Sequence, residues 1–103
     1  MFRRSRFAAV IDTQLELFLR ENTEVLDDVA VRLEAYNAAE RDEAEELYGD
    51  YVDAVETGTE ILADLRDHYA SSLEAGDGER FIADFNQAVA RRLPAYALEI
   101  ENR

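Results

Sequence analysis

His68 is the only histidine in the chain, and its spacing from Asp64 suggests metal binding or acid–base chemistry. Asp64 precedes it by four residues, so the two side chains lie about one turn apart on the same side of a helix. A carboxylate and an imidazole placed in this way supply two metal ligands, or the carboxylate orients the imidazole as a general base. The position beside Leu65 and Tyr69 is also typical of a histidine half-buried in packing, and the sequence favours this second interpretation.

Two segments of the form Glu-x-x-x-Asp lie fourteen residues apart on one side of the same predicted helix: Glu46 to Asp50 and Glu60 to Asp64. Their spacing is similar to that of the metal-binding helix motifs of the PhoU family of phosphate regulators, which are also three-helix bundles. In that family the motifs converge from different helices, whereas these two share one helix, and a third match begins at Glu24. The metal-site hypothesis assigns the ligands to Asp50, Asp64 and His68. Glu46 and Glu60 are weaker additional candidates.

Sequence patterns of the common enzyme classes are absent. The chain has no cysteine, which excludes disulfides, thiol catalysis and zinc sites built on thiolates. Its three serines, at positions 5, 71 and 72, stand in no Gly-x-Ser-x-Gly segment, and neither a P-loop nor a dinucleotide-binding fingerprint occurs. With 24 Asp and Glu, no single carboxylate pair indicates hydrolysis. We therefore expect a protein that is not an enzyme and that carries no cofactor.

The net charge restricts the partners. The 103 residues hold 24 Asp and Glu against 11 Lys and Arg, which gives a formal net charge of -13. Binding to nucleic acid or to anionic membranes needs basic side chains that neutralise phosphates, so this balance argues against both. No apolar run is long enough to cross a bilayer, and the apolar stretch 7–11 after the basic start is too short for a signal peptide. We expect a cytoplasmic protein.

The composition resembles that of small acidic helical proteins from haloarchaea that accumulate salt. The chain has no lysine, and it has 14 Glu, 10 Asp and 16 Ala. A large negative charge repels itself in dilute buffer, whereas near 1 M salt the Debye length falls to about 3 Å and the repulsion is screened. The resemblance implies a cytoplasm at high salt and identifies no functional family. An Arg-rich, GC-rich genome is the alternative explanation.

Two basic clusters interrupt the acidic surface: Arg3, Arg4 and Arg6, and then Arg91 with Arg92. The first cluster is a candidate contact for an anionic partner. The sequence favours ion pairing within the protein instead, because residues 37–79 hold 14 acids against 2 Arg. In an antiparallel bundle, the first cluster would lie beside the end of the middle helix near residues 67–77. The second cluster would lie toward the start of that helix, near residues 42–46.

Apolar residues recur at steps of three and four, which is the period of an α-helix, and strand-type alternation is absent. Long helices with short connections pack antiparallel, so we predict an elongated all-α three-helix bundle in one domain, residues 1–103. Pro94 kinks the last helix, because proline lacks an N–H and clashes one turn back. The alternative is a four-helix arrangement with a break near Asn22, since the residues around it are poor helix formers. The predicted helices span about three ranges: 5–36, 38–74 and 79–101.

Three local features support these bounds. Asn37 and Glu40 have the form of a capping box at the start of the second predicted helix. Gly58 lies on the buried stripe of that helix, where we expect it to permit the close approach of a neighbour. The two glycines within residues 75–78 predict a turn before the third helix.

The outer side of the first predicted helix is also apolar, through Val10, Leu17 and Val31. A helix that is apolar on two sides is usually buried on two sides, so these residues form a candidate dimer interface. The first functional hypothesis is therefore a non-enzymatic interaction module that forms a homodimer through this helix and binds a protein partner. The second hypothesis is a helical bundle that binds a metal or a small ligand through carboxylates and His68.

Overall fold

The computed structural model describes residues 6–103, and this part of the chain is built of helices and turns, without a strand. The all-α class predicted from the apolar period is confirmed. A short 3-10 turn, Pro94–Tyr96, separates the last two helices, so Pro94 interrupts the final helix as expected. The five α-helices are α1 Ala8–Glu21, α2 Thr23–Asn37, α3 Ala44–Ala70, α4 Ala75–Arg92 and α5 Ala97–Glu101.

The first predicted helix is two helices, because the chain breaks at Asn22. Asn22 adopts φ -125° and ψ 40°, outside the helical region. Its backbone N–H and its side-chain amide both donate to the carbonyl of Phe18, at 3.0 Å each. A side chain that competes for a backbone acceptor in this way favours a helix end. The break lies where the four-helix alternative placed it, and five helices replace the three of the predicted bundle.

The helices α3 and α4 begin at other residues than predicted. The capping box at Asn37 is not used, because Asn37 ends α2 and α3 begins at Ala44 without a side-chain cap. The two glycines in 75–78 lie in the first turn of α4 instead of in a turn before it. Gly78 is buried there, and a Cβ on it would lie 3.0 Å from the carbonyl oxygen of Ala70. A side chain at this position would therefore push the two helix ends slightly apart, and glycine allows their close approach.

The core lies where α1, α3, α4 and α5 meet. The fully buried residues of α3 begin at Ala54, and α2 has one, Val29; Leu26 of α2 and Tyr51 of α3 pack against this core while partly exposed. The apolar side chains buried most completely at this point come from all four helices and from the turn that begins at Pro94: Leu15, Phe18, Leu62, Phe81, Phe85, Val89, Tyr96 and Ile100.

The helix α2 packs along α3 and meets α1 at the break, and in the described part of the chain it contacts neither α4 nor α5. We call residues 23–57 the hairpin; they comprise α2, the connection and the first half of α3. The hairpin extends from the core, and the molecule measures 50 × 28 × 24 Å. The predicted elongated shape is confirmed.

Gly58 lies in the middle of α3 at the point where the ring of Tyr96 packs against the helix. A Cβ on Gly58 would lie 2.5 Å from Cε1 of that ring. The predicted close approach is confirmed, and the approaching group is a tyrosine from the turn after Pro94. Phe18 of α1 packs edge-on against the same ring with a centroid distance of 5.9 Å, so three parts of the chain meet here.

Candidate interaction surface

The three predicted metal ligands all lie on α3, at different heights. The carboxylate of Asp50 is 3.6 Å from the guanidinium of Arg32, with which it forms an ion pair. Fourteen residues of helix, about 21 Å, separate Asp50 from Asp64, so the structure does not bring Asp50 together with the other two. Among residues 6–103, no group of three or more His, Cys, Asp and Glu side chains is placed to hold a metal ion. His68 is exposed, so its interpretation as a half-buried packing residue is wrong.

The first basic cluster is described only at Arg6, since Arg3 and Arg4 lie outside the described residues. The guanidinium of Arg6 donates two parallel hydrogen bonds to the carboxylate of Asp77, at 3.3 and 3.4 Å. It also lies over the ring of Phe7, with 4.7 Å from Cζ to the ring centroid. Ion pairing of Arg6 with the region after the middle helix is confirmed.

Arg92 was predicted to lie near the acidic start of the middle helix, and this prediction is wrong. Its guanidinium donates to the carboxylate of Asp12 at 3.3 Å, and Asp12 belongs to α1. The break at Asn22 is the reason, because it lets α1 pack beside α4 while α2 follows the first half of α3.

The predicted dimer interface does not form one surface. Val10 packs against the core, and Leu17 is half-buried. Val31 is 62% exposed, and it belongs to α2, beyond the break at Asn22. The continuous outer face on which the three residues were placed is therefore divided between two helices.

A different apolar surface lies on the hairpin. Leu33 of α2 is 39% exposed, and Tyr48 of α3 is 50% exposed. The ring of Tyr48 contacts the rings of Tyr36 and Tyr51, with centroid distances of 5.1 and 6.2 Å. We call Leu33, Tyr36, Tyr48 and Tyr51 the hairpin patch. It stays open because neither α4 nor α5 reaches α2 in the described part of the chain.

The opposite flank of the hairpin is a shallow polar cleft of about 170 Å³. Arg32 crosses this cleft, with its Nε 3.2 Å from Asp28 and its Nη1 3.6 Å from Asp50. Asp53, Ala54 and Thr57 complete the lining. One arginine thus offsets part of the negative charge on this flank, and the cleft offers little apolar area to a partner.

The apolar stripe of α3 contains one arginine, Arg66, for which the sequence predicted no role. Its side chain is only 2% exposed. Its Nη1 donates to the side-chain oxygen of Asn86 and to the carbonyl of Ile100, both at 3.0 Å, and its Nε donates to Asp67 at 2.8 Å. Arg66 therefore joins α3 to α4 and to the end of α5. The signal in the sequence is its position four residues after Leu62, in phase with the buried stripe.

The buried phenol of Tyr96 ionises less readily than an exposed tyrosine. Burial raises the pKa of its hydroxyl, and the neighbouring Tyr51 raises that pKa further. The hydroxyl has no hydrogen-bond partner among the described residues. A phenol that is held neutral and shut off from solvent is a packing group, because a general base or nucleophile must give up its proton near the operating pH.

Comparison of the chain with models of known protein families, with curated proteins and with solved structures gives no match. The similarity of the Glu-x-x-x-Asp segments to PhoU motifs thus stays a local resemblance. None of the helices in residues 6–103 combines the length and the apolar character needed to cross a membrane.

Proposed function

We propose that this protein is a non-enzymatic helical interaction module that binds another polypeptide through the hairpin patch. One observation carries the proposal: beyond its junction with α1, α2 packs only on α3 in the described part of the chain, so the apolar side chains of the hairpin are covered where the two helices meet and exposed beside that contact. Two helices that share one seam leave a groove into which a third helix fits. An amphipathic helix laid in an apolar groove is a common mode of peptide recognition.

The position of the exposed apolar residues supports the hairpin over α1 as the binding surface. Leu33 and Tyr48 lie on two adjacent helices; Tyr48 belongs to the cluster of tyrosine rings, and Leu33 lies one helical turn before Tyr36 of that cluster. Aromatic residues are enriched in the centres of protein interfaces, where they bury a large area with few rotatable bonds. Homodimerisation through Val10, Leu17 and Val31 stays a prediction, as does a cytoplasmic location at high salt.

Site-specific photocrosslinking in cells that make the protein tests this proposal. A photoreactive phenylalanine analogue replaces Tyr48, and in the control it replaces Leu98, which is 74% exposed on α5. We expect position 48 to crosslink to a polypeptide, either a second copy or another protein, at a residue that mass spectrometry identifies. Position 98 should give no such product. Absence of any polypeptide crosslink at position 48, or equal products at both positions, would refute the proposed function.

A further inference from the structure

The two exposed members of the hairpin patch, Leu33 and Tyr48, lie on the flank that Arg32 does not reach, and Tyr36 lies between this flank and Arg32. At 100° per residue, Leu33 lies 100° further around α2 than Arg32, on the other side of buried Val29. Tyr48 lies 160° around α3 from Asp50, which faces the polar cleft. The two flanks of the hairpin therefore differ in chemistry: one is polar and partly neutralised, and the other is apolar.

Carboxylates that form no ion pair within residues 6–103 border the hairpin patch on both helices. On α2, Asp27 and Glu34 lie on the outer side of Leu33. On α3, Glu45 and Glu56 lie on the outer side of Tyr48. All four carboxylates are exposed. None of them forms an ion pair with another described residue. By contrast, Asp28 and Asp50 on the polar flank share Arg32. The patch is thus an apolar strip between two uncompensated acidic rims.

The charge of the whole hairpin selects between the partners that such a strip could take. Residues 23–57 hold twelve Asp and Glu against two Arg, a net charge of -10 out of -13 for the chain. A second copy would bring the same -10 to the same surface, and like charges placed opposite each other oppose association. A partner with Lys or Arg on both sides of an apolar stripe matches the strip and both rims.

We infer that the hairpin patch binds a basic amphipathic helix of another protein; this inference rests on the proposed function and names the chemistry of the partner. The apolar side of that helix lies against Leu33 and Tyr48, and its cations lie against the two rims. The patch itself covers one turn of each helix, and the rim from Glu45 to Glu56 extends over about 16 Å of α3, so a partner segment as long as α2, which has 15 residues, spans the patch and both rims.

Synthetic peptides test the inference on the full-length protein. The probe has the length of α2 and carries a leucine stripe at i, i+3, i+4 and i+7 with lysines on both sides. One control peptide has the same composition in scrambled order, and another keeps the leucine stripe with glutamates in place of the lysines. Fluorescence anisotropy measures binding at the lowest KCl concentration at which circular dichroism shows the helices formed. We expect the basic amphipathic peptide to bind at least about ten-fold more tightly than either control.

Substitutions locate the binding surface. Leu33→Gln and Tyr48→Gln should each weaken binding of the basic peptide by about three- to five-fold, because each removes apolar area that the peptide covers. Leu98→Gln, at an exposed leucine away from the hairpin, should leave binding unchanged. The double variant Glu45→Gln/Glu56→Gln should also weaken binding by about three- to five-fold, since each rim contact is a partly exposed ion pair. The matched variant Glu16→Gln/Glu79→Gln removes the same charge elsewhere and should not.

Four results would overturn the inference. Equal binding of the scrambled peptide, or equal losses in both glutamine pairs, would show that only diffuse charge acts. Equal binding of the glutamate-flanked peptide would show that the patch does not select cations. A mass near twice 11.7 kDa by light scattering in about 2 M KCl, lost in Leu33→Gln, would make a second copy the partner. In the last two cases a crosslink at position 48 would still support the proposed function, so the two failures are distinguishable.

Discussion

Gly58 and Gly49 lie on the same helix, and replacing each by alanine should change the stability of the protein in opposite directions. A Cβ at Gly58 would lie 2.5 Å from Cε1 and 2.7 Å from Cζ of Tyr96, whereas no heavy atom lies within 4 Å of a Cβ at Gly49. Alanine is favoured over glycine inside a helix by about 1 kcal/mol. Gly49→Ala should therefore only raise the free energy of unfolding, through the better helix propensity of alanine. In Gly58→Ala the same increase is opposed by a steric conflict with Tyr96.

The conflict at Gly58 should exceed the gain. Carbon atoms in contact prefer a separation of about 3.5–4.0 Å, and the ring of Tyr96 has little room to retreat, because it is buried and packs against Phe18. Overpacking a core costs about 1–3 kcal/mol, and a separation this short belongs at the upper end. After subtraction of the helical gain, we expect Gly58→Ala to lower the free energy of unfolding by about 2 kcal/mol and Gly49→Ala to raise it by about 1 kcal/mol.

Urea unfolding at a fixed KCl concentration, followed by circular dichroism, measures both changes. The dependence of the free energy on urea should stay the same in both variants, since neither alters the surface exposed on unfolding. In thermal scans, about 2 kcal/mol corresponds to a loss of roughly 8–16 °C for a domain of this size. A Gly58→Ala protein as stable as the parent would refute the packing of Tyr96 against α3. A Gly49→Ala protein that is destabilised would refute the helical conformation at that residue.

Three further predictions concern Arg66, Tyr96 and the proposed metal ligands. Arg66→Met should lower the free energy of unfolding by about 3 kcal/mol, because it leaves two buried acceptors, on Asn86 and Ile100, without a donor; a loss below about 1 kcal/mol in urea unfolding would contradict this. The pKa of Tyr96 is raised in the folded state, so its contribution to stability is complete below about pH 10 and is lost as the pH rises further. Above about pH 10, Tyr96→Phe should lose less stability than the parent, as measured by urea unfolding at a series of pH values. An equal loss in both proteins would contradict the raised pKa of Tyr96. Metal analysis of untagged protein should show less than one ion per chain, unchanged in His68→Ala, because Asp50 lies far from Asp64 and His68; one bound ion that His68→Ala releases would restore the metal hypothesis.

Features that depend on neighbouring residues in the chain were predictable. The apolar period of three to four gave the helical class, because a helix forms its hydrogen bonds within its own segment. The position of Gly58 on the stripe of α3 indicated the close approach that Tyr96 makes. The antiparallel return of the chain placed Arg6 near the segment that contains Asp77, and the ion pair between them is present.

The apolar period did not reveal the break at Asn22, because the stripe keeps its phase on both sides of it. The break lies where the side-chain amide of Asn22 shares the carbonyl of Phe18 with its own backbone N–H, and the sequence presented it only as an alternative. It then decided other features at long range. It moved α1 to the side of α4, gave Arg92 the partner Asp12 and placed Val31 on a different helix from Val10.

The sequence by itself determined that this protein is acidic, helical, free of cysteine and without the motifs of a known enzyme class. The tertiary structure alone decided which apolar side chains are covered. The stripe on α3 runs past both Tyr48 and Arg66, yet Tyr48 is half exposed while the arginine is buried. The physical reason is that burial depends on which helices arrive from distant parts of the chain: α4 and α5 close over the second half of α3, and only α2 lies along the first.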